Sequence, residues 1–360
     1  MPFATPLYEI ESAAGASFES YCGWEVAALF GDSRAEYDAL CAQAGVLDMC
    51  FLGKLRATGR DRHRFLNNML TNDIKNLAIG SGCYAALLTR QGLMESDLWV
   101  YACAEELWLE CPPCAGQQVL ASLRKHIVSD AVDLDDHTEP VAILSIQGPK
   151  AGDVVERTLG ISVPPLGMFE HRVLETVAGG LRIVRRDRTG FGGYDLWLPR
   201  DHVAEIWSRC IENEGVRAAG FEALNWARTE AGIPWYGADM DDRTLPMEMG
   251  LDAAINMKKG CYLGQEIVAR ITLRGHLERR LAGIVADRVE PPAAGTEVHV
   301  QGSKIGTVTS AILSPRLRKP LALAVIKTAF LQPGTPVELA CGEGKCRGEV
   351  VQLPLPHPWL

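Results

Sequence analysis

Two periods alternate along the chain. Residues 61–70 set Phe65, Leu66, Met69 and Leu70 on one side of a helix. Ser33 stands as an N-cap ahead of a helical run over 35–44, with Gly45 closing it. Residues 117–125, and a run that begins at Gly220 and continues to Pro234, also read as helix. Between them fall short strands at 54–58, 83–89, 93–101, 107–110 and 141–147, with Arg90-Gln91-Gly92 as a turn between two of these. The strand over 93–101 is the most informative. Met94, Ser96, Leu98 and Val100 point one way; Leu93, Glu95, Asp97, Trp99 and Tyr101 point the other. A face with two acids and two aromatic rings is either plain solvent surface or the wall of a polar cavity. After Arg280 the composition shifts. Pro291-Pro292 and Gly295 precede a β-rich tail that reads as a small barrel. No internal repeat is present.

The chain has 360 residues, enough for two or three domains, and its 47% hydrophobic and 22% charged content is that of a globular protein. No apolar run reaches the roughly 18 residues that span a bilayer. The first residues lack a basic and then apolar leader, so a cytoplasmic location is expected. The 11 cysteines are scattered and odd in number, the pattern of thiols in a reducing compartment. Cys111-Pro112-Pro113-Cys114 has C-x-x-C spacing, but no second pair stands at zinc-site distance, so no metal is expected. A net charge of −9 argues against general nucleic-acid binding. A local basic run, Lys258 to Arg280, is either a solvated face or a dock for an anion or an acidic partner.

That run opens with Lys258-Lys259-Gly260-Cys261-Tyr262-Leu263-Gly264-Gln265-Glu266, followed by Ile267-Val268-Ala269-Arg270. Two lysines precede a single cysteine set between glycines. Positive charge and nearby backbone N–H groups favour a thiolate. The alternative is a small buried hydrophobe, the usual state of a free cysteine. The residues that follow read as the start of a strand or helix.

The stretch Lys259-Gly260-Cys261-Tyr262 with Gly264-Gln265-Glu266 resembles the signature of the YgfZ family, folate-binding proteins that support assembly or repair of iron–sulfur clusters. Nearly the whole chain also resembles the glycine-cleavage T-protein (aminomethyltransferase) superfamily, to which that family belongs. Leu70-Thr71-Asn72-Asp73 matches L-T-N-D, with Thr71 or Asn72 in a capping role. Gln147-Gly148-Pro149 matches Q-G-P, and Arg228-Thr229-Glu230-Ala231-Gly232 matches R-x-E-A-G. Tyr236-Gly237-Ala238-Asp239 and Ile305-Gly306-Thr307-Val308-Thr309-Ser310 have counterparts as well. The chain departs from T-proteins at Met49-Cys50-Phe51-Leu52, where V-S-H-M is usual, at Glu110 to Cys114, where V-N-A-A-N is usual, and at Leu224, where an arginine is usual.

The resemblance implies an α+β protein of three lobes around a central folate cavity. Residues 1–53 with 141–245 would form a first, discontinuous lobe that binds folate. Residues 54–140 with 246–280 would form a second lobe carrying the cysteine motif, and 281–360 a C-terminal β-barrel. The implied ligand is tetrahydrofolate or a one-carbon derivative. Asp97 would be the acid–base group, with Tyr84 and Tyr101 beside the pterin and Asp195 on the pterin's two-donor edge. Arg228 and Glu230 would be structural or cavity-lining. Cys261 would lie at the cavity's edge. The expected function is folate binding in support of iron–sulfur proteins, which would be its partners; the alternative is aminomethyl transfer. A monomer is expected.

Overall fold

In the computed structural model, which describes residues 2–176, 179–275, 277–341 and 344–355, the backbone forms three sheets and a closed barrel. The fold is the three-lobed α+β arrangement expected, with a C-terminal barrel. A five-stranded antiparallel sheet is built entirely from residues between Gly53 and Asp136. A six-stranded sheet takes Ala44–Asp48 from before that segment and Val141–Gln147, His171–Thr176, Gly179–Arg185, Gly193–Pro199 and Val216–Ala218 from after it. A three-stranded sheet gathers the chain's first strands. The barrel closes from six strands between Arg279 and Val351 around Ile284, Val298, Ala324 and Leu339.

Local chemistry explains the element ends. Helix Ser33–Ala42 is capped by Asp32 rather than Ser33: the Asp32 carboxylate accepts from Arg34 N at 2.9 Å and Ala35 N at 3.2 Å. Gly45 does not stop this helix. It lies inside strand Ala44–Asp48, where a Cβ would come within 2.6 Å of Leu40 Cδ2, so the glycine lets the helix rest on the strand. The Phe65, Leu66 and Met69 stripe packs inward from helix Arg62–Met69, as its period predicted, against Leu87, Leu98 and Leu109 of the five-stranded sheet. Thr71 and Asn72 are structural. Thr71 Oγ1 donates to Ala254 O and accepts from Ala86 N, while Asn72 Nδ2 donates to Tyr84 O.

Helix Phe221–Glu230 links the lobes to the barrel. Arg228 Nη1 meets Asp239 Oδ2 at 2.7 Å with both side chains out of solvent, and Arg228 Nη2 donates to Ser310 Oγ of the barrel. Thr309 Oγ1 closes the group on Asp239 Oδ1 at 2.7 Å. Two residues on, Glu230 accepts from Tyr37 and from Ser314, another barrel residue. A buried ion pair is costly to break because the survivor keeps its charge without a partner. Arg228→Ala should therefore cost about 3–5 kcal/mol, seen as a large fall in melting temperature with no residue of the central cavity removed; a variant as stable as the parent would show that this joint carries no load.

Candidate functional site

The face of the five-stranded sheet that carries Asp97 is not solvent surface. Cross-strand register sets Tyr84 opposite Trp99, and Trp99 opposite Glu110, in one row across three strands. Side chains opposite one another on a sheet are near neighbours, and diagonal ones are within reach of long side chains. The Tyr84 and Trp99 rings stack at 4.7 Å and 17°. Tyr84 Oη reaches diagonally to donate to Asp97 Oδ2 at 2.8 Å. The Arg186 guanidinium lies 3.7 Å from the centre of the Trp99 ring. At these separations Arg186 and Tyr84 must take opposite faces of the indole, giving a stack of guanidinium, indole and phenol.

The row forms one wall of a central cavity of about 270 Å³. Glu110, Pro112 and Pro113 continue the wall from the end of strand Leu107–Cys111. Arg186, Asp187 and Arg188 enter from the six-stranded sheet's side, and Ile233 to Tyr236, Met249 to Leu251, Tyr21 and Leu52 complete the enclosure. Asp187 organises its own loop, accepting from Thr189 N at 2.9 Å and Gly190 N at 2.7 Å.

Asp97 presents a buried, uncommitted oxygen to the cavity. Oδ2 is held by Tyr84, while Oδ1 is buried without a hydrogen-bond partner. Burial pushes the carboxyl up to about 6, opposed by the Tyr84 hydrogen bond and by Arg186. Glu110 and Asp195 are engaged through both oxygens, while half-buried Asp187 is engaged through Oδ1 alone. Arg188 Nη2 bridges Glu110 Oε1 at 2.8 Å and Asp195 Oδ2 at 2.6 Å, with Arg188 Nε on Asp195 Oδ1 at 3.2 Å. Ser145 Oγ donates to Asp195 Oδ1 at 2.6 Å, and Tyr101 Oη lies 3.4 Å from Glu110 Oε2.

Several expected site residues therefore stand elsewhere. Tyr84 and Asp97 line the cavity together. Tyr101 does not; it is fully buried one step further along the strand, edge-on to Trp197 and His171. Asp195 is not on the wall. Its oxygens are taken by Arg188 and Ser145, so a pterin edge would have to displace an arginine. Glu230 lies in the joint to the barrel and is not among the central cavity's lining residues. Three residues that the sequence reading passed over, Glu110, Arg186 and Arg188, belong to the site. The signal for Glu110 was an acid inside the apolar strand Leu107–Cys111, on the parity opposite Leu107 and Leu109.

The cysteine motif is a structural turn beside the cavity, not on it. Lys259 Nζ donates to the carbonyls of Asn67 and Leu70 at 2.6 Å and of Asn72 at 2.5 Å, closing the end of helix Arg62–Met69. Burial lowers this ammonium to about 8. It is committed to those carbonyls and does not serve Cys261. Tyr262 is buried beneath it, its ring centre 5.2 Å from Lys259 Nζ. Gly264, at φ +81, begins helix Gln265–Arg274, and a Cβ there would come within 2.6 Å of Thr89 O. Gly260 has open space around it, Gln265 is half-buried, and Glu266 pairs with Arg270 at 2.8 Å on the surface. Cys261 is exposed, contrary to the buried alternative, and is not among the cavity's lining residues. The basic run offers no open dock through its described arginines: Arg279 meets Glu248 at 2.9 Å and Arg280 meets Asp252 at 2.6 Å, while the Arg274 side chain lies outside the described residues. Among the described residues no three His, Cys, Asp or Glu side chains converge as a metal site, and no helix is long and apolar enough to cross a membrane.

Comparison with known proteins gives this architecture a family. The GCVT N-terminal domain matches residues 7–259, and the glycine cleavage T-protein C-terminal barrel domain matches residues 279–355. The chain belongs to the glycine cleavage T-protein family. An aminomethyltransferase of Rubrobacter xylanophilus is 32% identical over 325 residues, covering 89% of this chain and 86% of the relative. One from Anoxybacillus flavithermus is 31% identical over 356 residues, covering 97% of each. The crystal structure of the glycine cleavage system aminomethyltransferase T from Bartonella henselae superposes with a TM-score of 0.92 over 99% of both chains at 24% identity, a likeness of fold.

The raised Asp97 carboxyl has a thermodynamic consequence. Its folded value of about 6 lies above the ordinary 3.8 of an unfolded chain, so the fold binds the extra proton. The contribution is fully present below pH 3.8 and is lost as pH rises through about 6. Asp97→Asn removes this penalty. The variant should be more stable than the parent by about 1–3 kcal/mol at pH 7.5, with the gap closing towards pH 4; thermal melts at the two pH values measure it, and a gap independent of pH would place the titration elsewhere.

Proposed function

We propose that this protein transfers a one-carbon unit to tetrahydrofolate, as an aminomethyltransferase or a close variant of one, with Asp97 as the acid–base group. The observation that carries the reading is the uncommitted, buried Oδ1 of Asp97 on the cavity wall, on a carboxyl that titrates near 6. A general base works best when its pKa lies close to the working pH. The donor set suits a folate ring. Tyr84 offers an aromatic surface backed by Trp99 and Arg186, Asp97 offers a hydrogen-bond acceptor at its edge, and Trp235 and Tyr236 add further ring surface to the lining.

Bound tetrahydrofolate would supply the nitrogen that takes up the carbon. Asp97 Oδ1, ionised above pH 6, would accept the proton that such a nitrogen sheds on alkylation. Tyr84 steadies the carboxylate in one orientation through Oδ2, leaving Oδ1 for the ligand. Arg188 and Arg186 together offset the charges of Glu110 and Asp195, which limits but does not remove the upward push of Glu110 on the Asp97 carboxyl. The name shared by the relatives supports aminomethyl transfer over the folate-binding role of YgfZ proteins.

A second reading rests on Cys261, an exposed thiol in the motif that resembles the YgfZ signature: support of iron–sulfur proteins. The two readings separate cleanly in the laboratory. Under the main reading, Asp97→Asn lowers turnover by roughly 10²–10⁴-fold, measured as tetrahydrofolate-dependent ammonia release from an aminomethyl donor. Calorimetric affinity for tetrahydrofolate should change only a few-fold, and parent kcat/KM should fall about tenfold for each pH unit below 6. Cys261→Ser should leave that turnover intact. No folate-dependent transfer by the parent, together with loss of cellular iron–sulfur enzyme activity in the Cys261→Ser strain, would reverse the assignment.

A further inference from the structure

The seam between the five- and six-stranded sheets has a second end. Even steps along the strands lead from Trp99 and Glu110 to Tyr101 and Trp108 on one sheet, and from Arg186 and Asp195 to Arg182 and Trp197 on the other. Tyr101 packs edge-on to Trp197 at 5.5 Å and lines neither end. Past it lies a second cavity, of about 760 Å³, whose lining includes Arg182, Trp108, Trp197, His171 and Cys103, with apolar surface from Val141 and Leu198.

Arg182 is the group that needs an explanation. Its side chain is 9% exposed, and its guanidinium carbon lies 5.0 Å from the Trp108 ring centre and 5.5 Å from that of Trp197. Nη2 donates to Cys103 Sγ at 3.2 Å, and the same sulfur lies 3.6 Å from His171 Nε2. Burial raises this thiol and lowers the imidazole, so both are neutral at pH 7. Glu106 approaches Arg182 only to 3.8 Å, and the same oxygen accepts from the Trp108 indole N–H. Arg188 and Arg228, buried as deeply, each hold a carboxylate oxygen at 2.6 or 2.7 Å. Arg182 Nε, Trp197 Nε1 and His171 Nδ1 are buried without a hydrogen-bond partner among the described residues. An arginine Nε–H and an indole N–H can only donate. This end of the seam therefore lacks an acceptor, and its buried guanidinium lacks a close negative charge.

We propose that this second cavity binds a small organic monocarboxylate, with the carboxylate on Arg182 and the apolar body against Trp108, Trp197 and Leu198. A guanidinium pairs with a carboxylate through charge-assisted N–H donors. The volume and the ring-lined walls are those of a small-molecule site. Glu105 and Glu106 share the lining, which disfavours a second negative charge on the ligand. The site is independent of what the central cavity holds.

The half-buried Cys103 reports on occupancy. The full chain is treated with iodoacetamide in the presence of benzoate, hexanoate or uncharged benzamide, and carbamidomethylation of the Cys103 peptide is followed by mass spectrometry. Benzoate and hexanoate, at about ten times the dissociation constants found by calorimetry, should slow that reaction about tenfold. Exposed Cys261 should react unchanged, and benzamide should not protect Cys103. Arg182→Gln should weaken benzoate binding roughly 10–100-fold, the scale of a lost hydrogen bond to a charged group. Should that variant not fold, the comparison of benzoate with benzamide on the parent decides alone. No protection by either carboxylate, equal protection by benzamide, undiminished binding by a folded Arg182→Gln, or a Cys103 that never reacts because its cavity is closed would overturn the proposal.

Discussion

Arg188 is the interaction on which the centre of this molecule depends. It joins a carboxylate of the five-stranded sheet, Glu110, to a carboxylate of the six-stranded sheet, Asp195, with all three side chains essentially out of solvent. An isolated buried charge is expensive, and two acids approaching without a cation between them would drive the sheets apart. With Arg188 in place, and Arg186 3.8 Å from Glu110, charge is balanced and the lobes can close. Glu110 is then fixed beside Trp99, Trp99 beside Tyr84, and Tyr84 on Asp97. The orientation of the buried Asp97 oxygen is the end of a chain of contacts that begins at an interlobe ion pair.

The outer wall depends on a different anchor. The loop from Ile233 to Tyr236 lies between Glu230 and Asp239, and both acids are held by barrel residues, Ser314 and Thr309. Asp239 Oδ2 also accepts from Trp235 N at 2.9 Å, tying the loop's backbone to the same carboxylate. Among the described residues the barrel contributes no side chain to the cavity's lining, yet it fixes the residues that cover it.

What could be read from the sequence was what depends on short-range periodicity. Alternation over 93–101 assigned Asp97 and Trp99 to one face, and the structure turns that face inward. The same alternation could not separate Tyr101 from Asp97, because parity is identical and only the packing of Trp197 from the other lobe decides which is covered. Asp195 presents the same difficulty: its role is set by Arg188 and by Ser145, fifty residues earlier. Lys259 is the sharpest case. Its neighbour in sequence is Gly260, then Cys261, which suggested an activated thiol, but its ammonium is drawn to carbonyls nearly two hundred residues away. Charge in a motif shows what is available; tertiary contacts decide where it is used. The likeness to T-proteins carried the architecture, since shared turns and strand patterns report on the backbone. It served less well for Asp195 and Glu230, whose partners lie outside the motifs.

The nesting of the sheets has a consequence for how the chain is made. The strands of the five-stranded sheet all precede Val141, whereas the six-stranded sheet holds Ala44–Asp48 as an inner strand and lacks its edge partner until Val216–Ala218 appears. At translation rates of about 5–20 residues per second, the interval is about 4–16 s. During that time the nascent polypeptide carries all five strands of the inner sheet between two halves of an unfinished outer one. The early strand 44–48, nearly all apolar, must wait in the ribosome's vicinity for later strands to emerge and cover it, which makes it the segment most open to chaperone capture during synthesis.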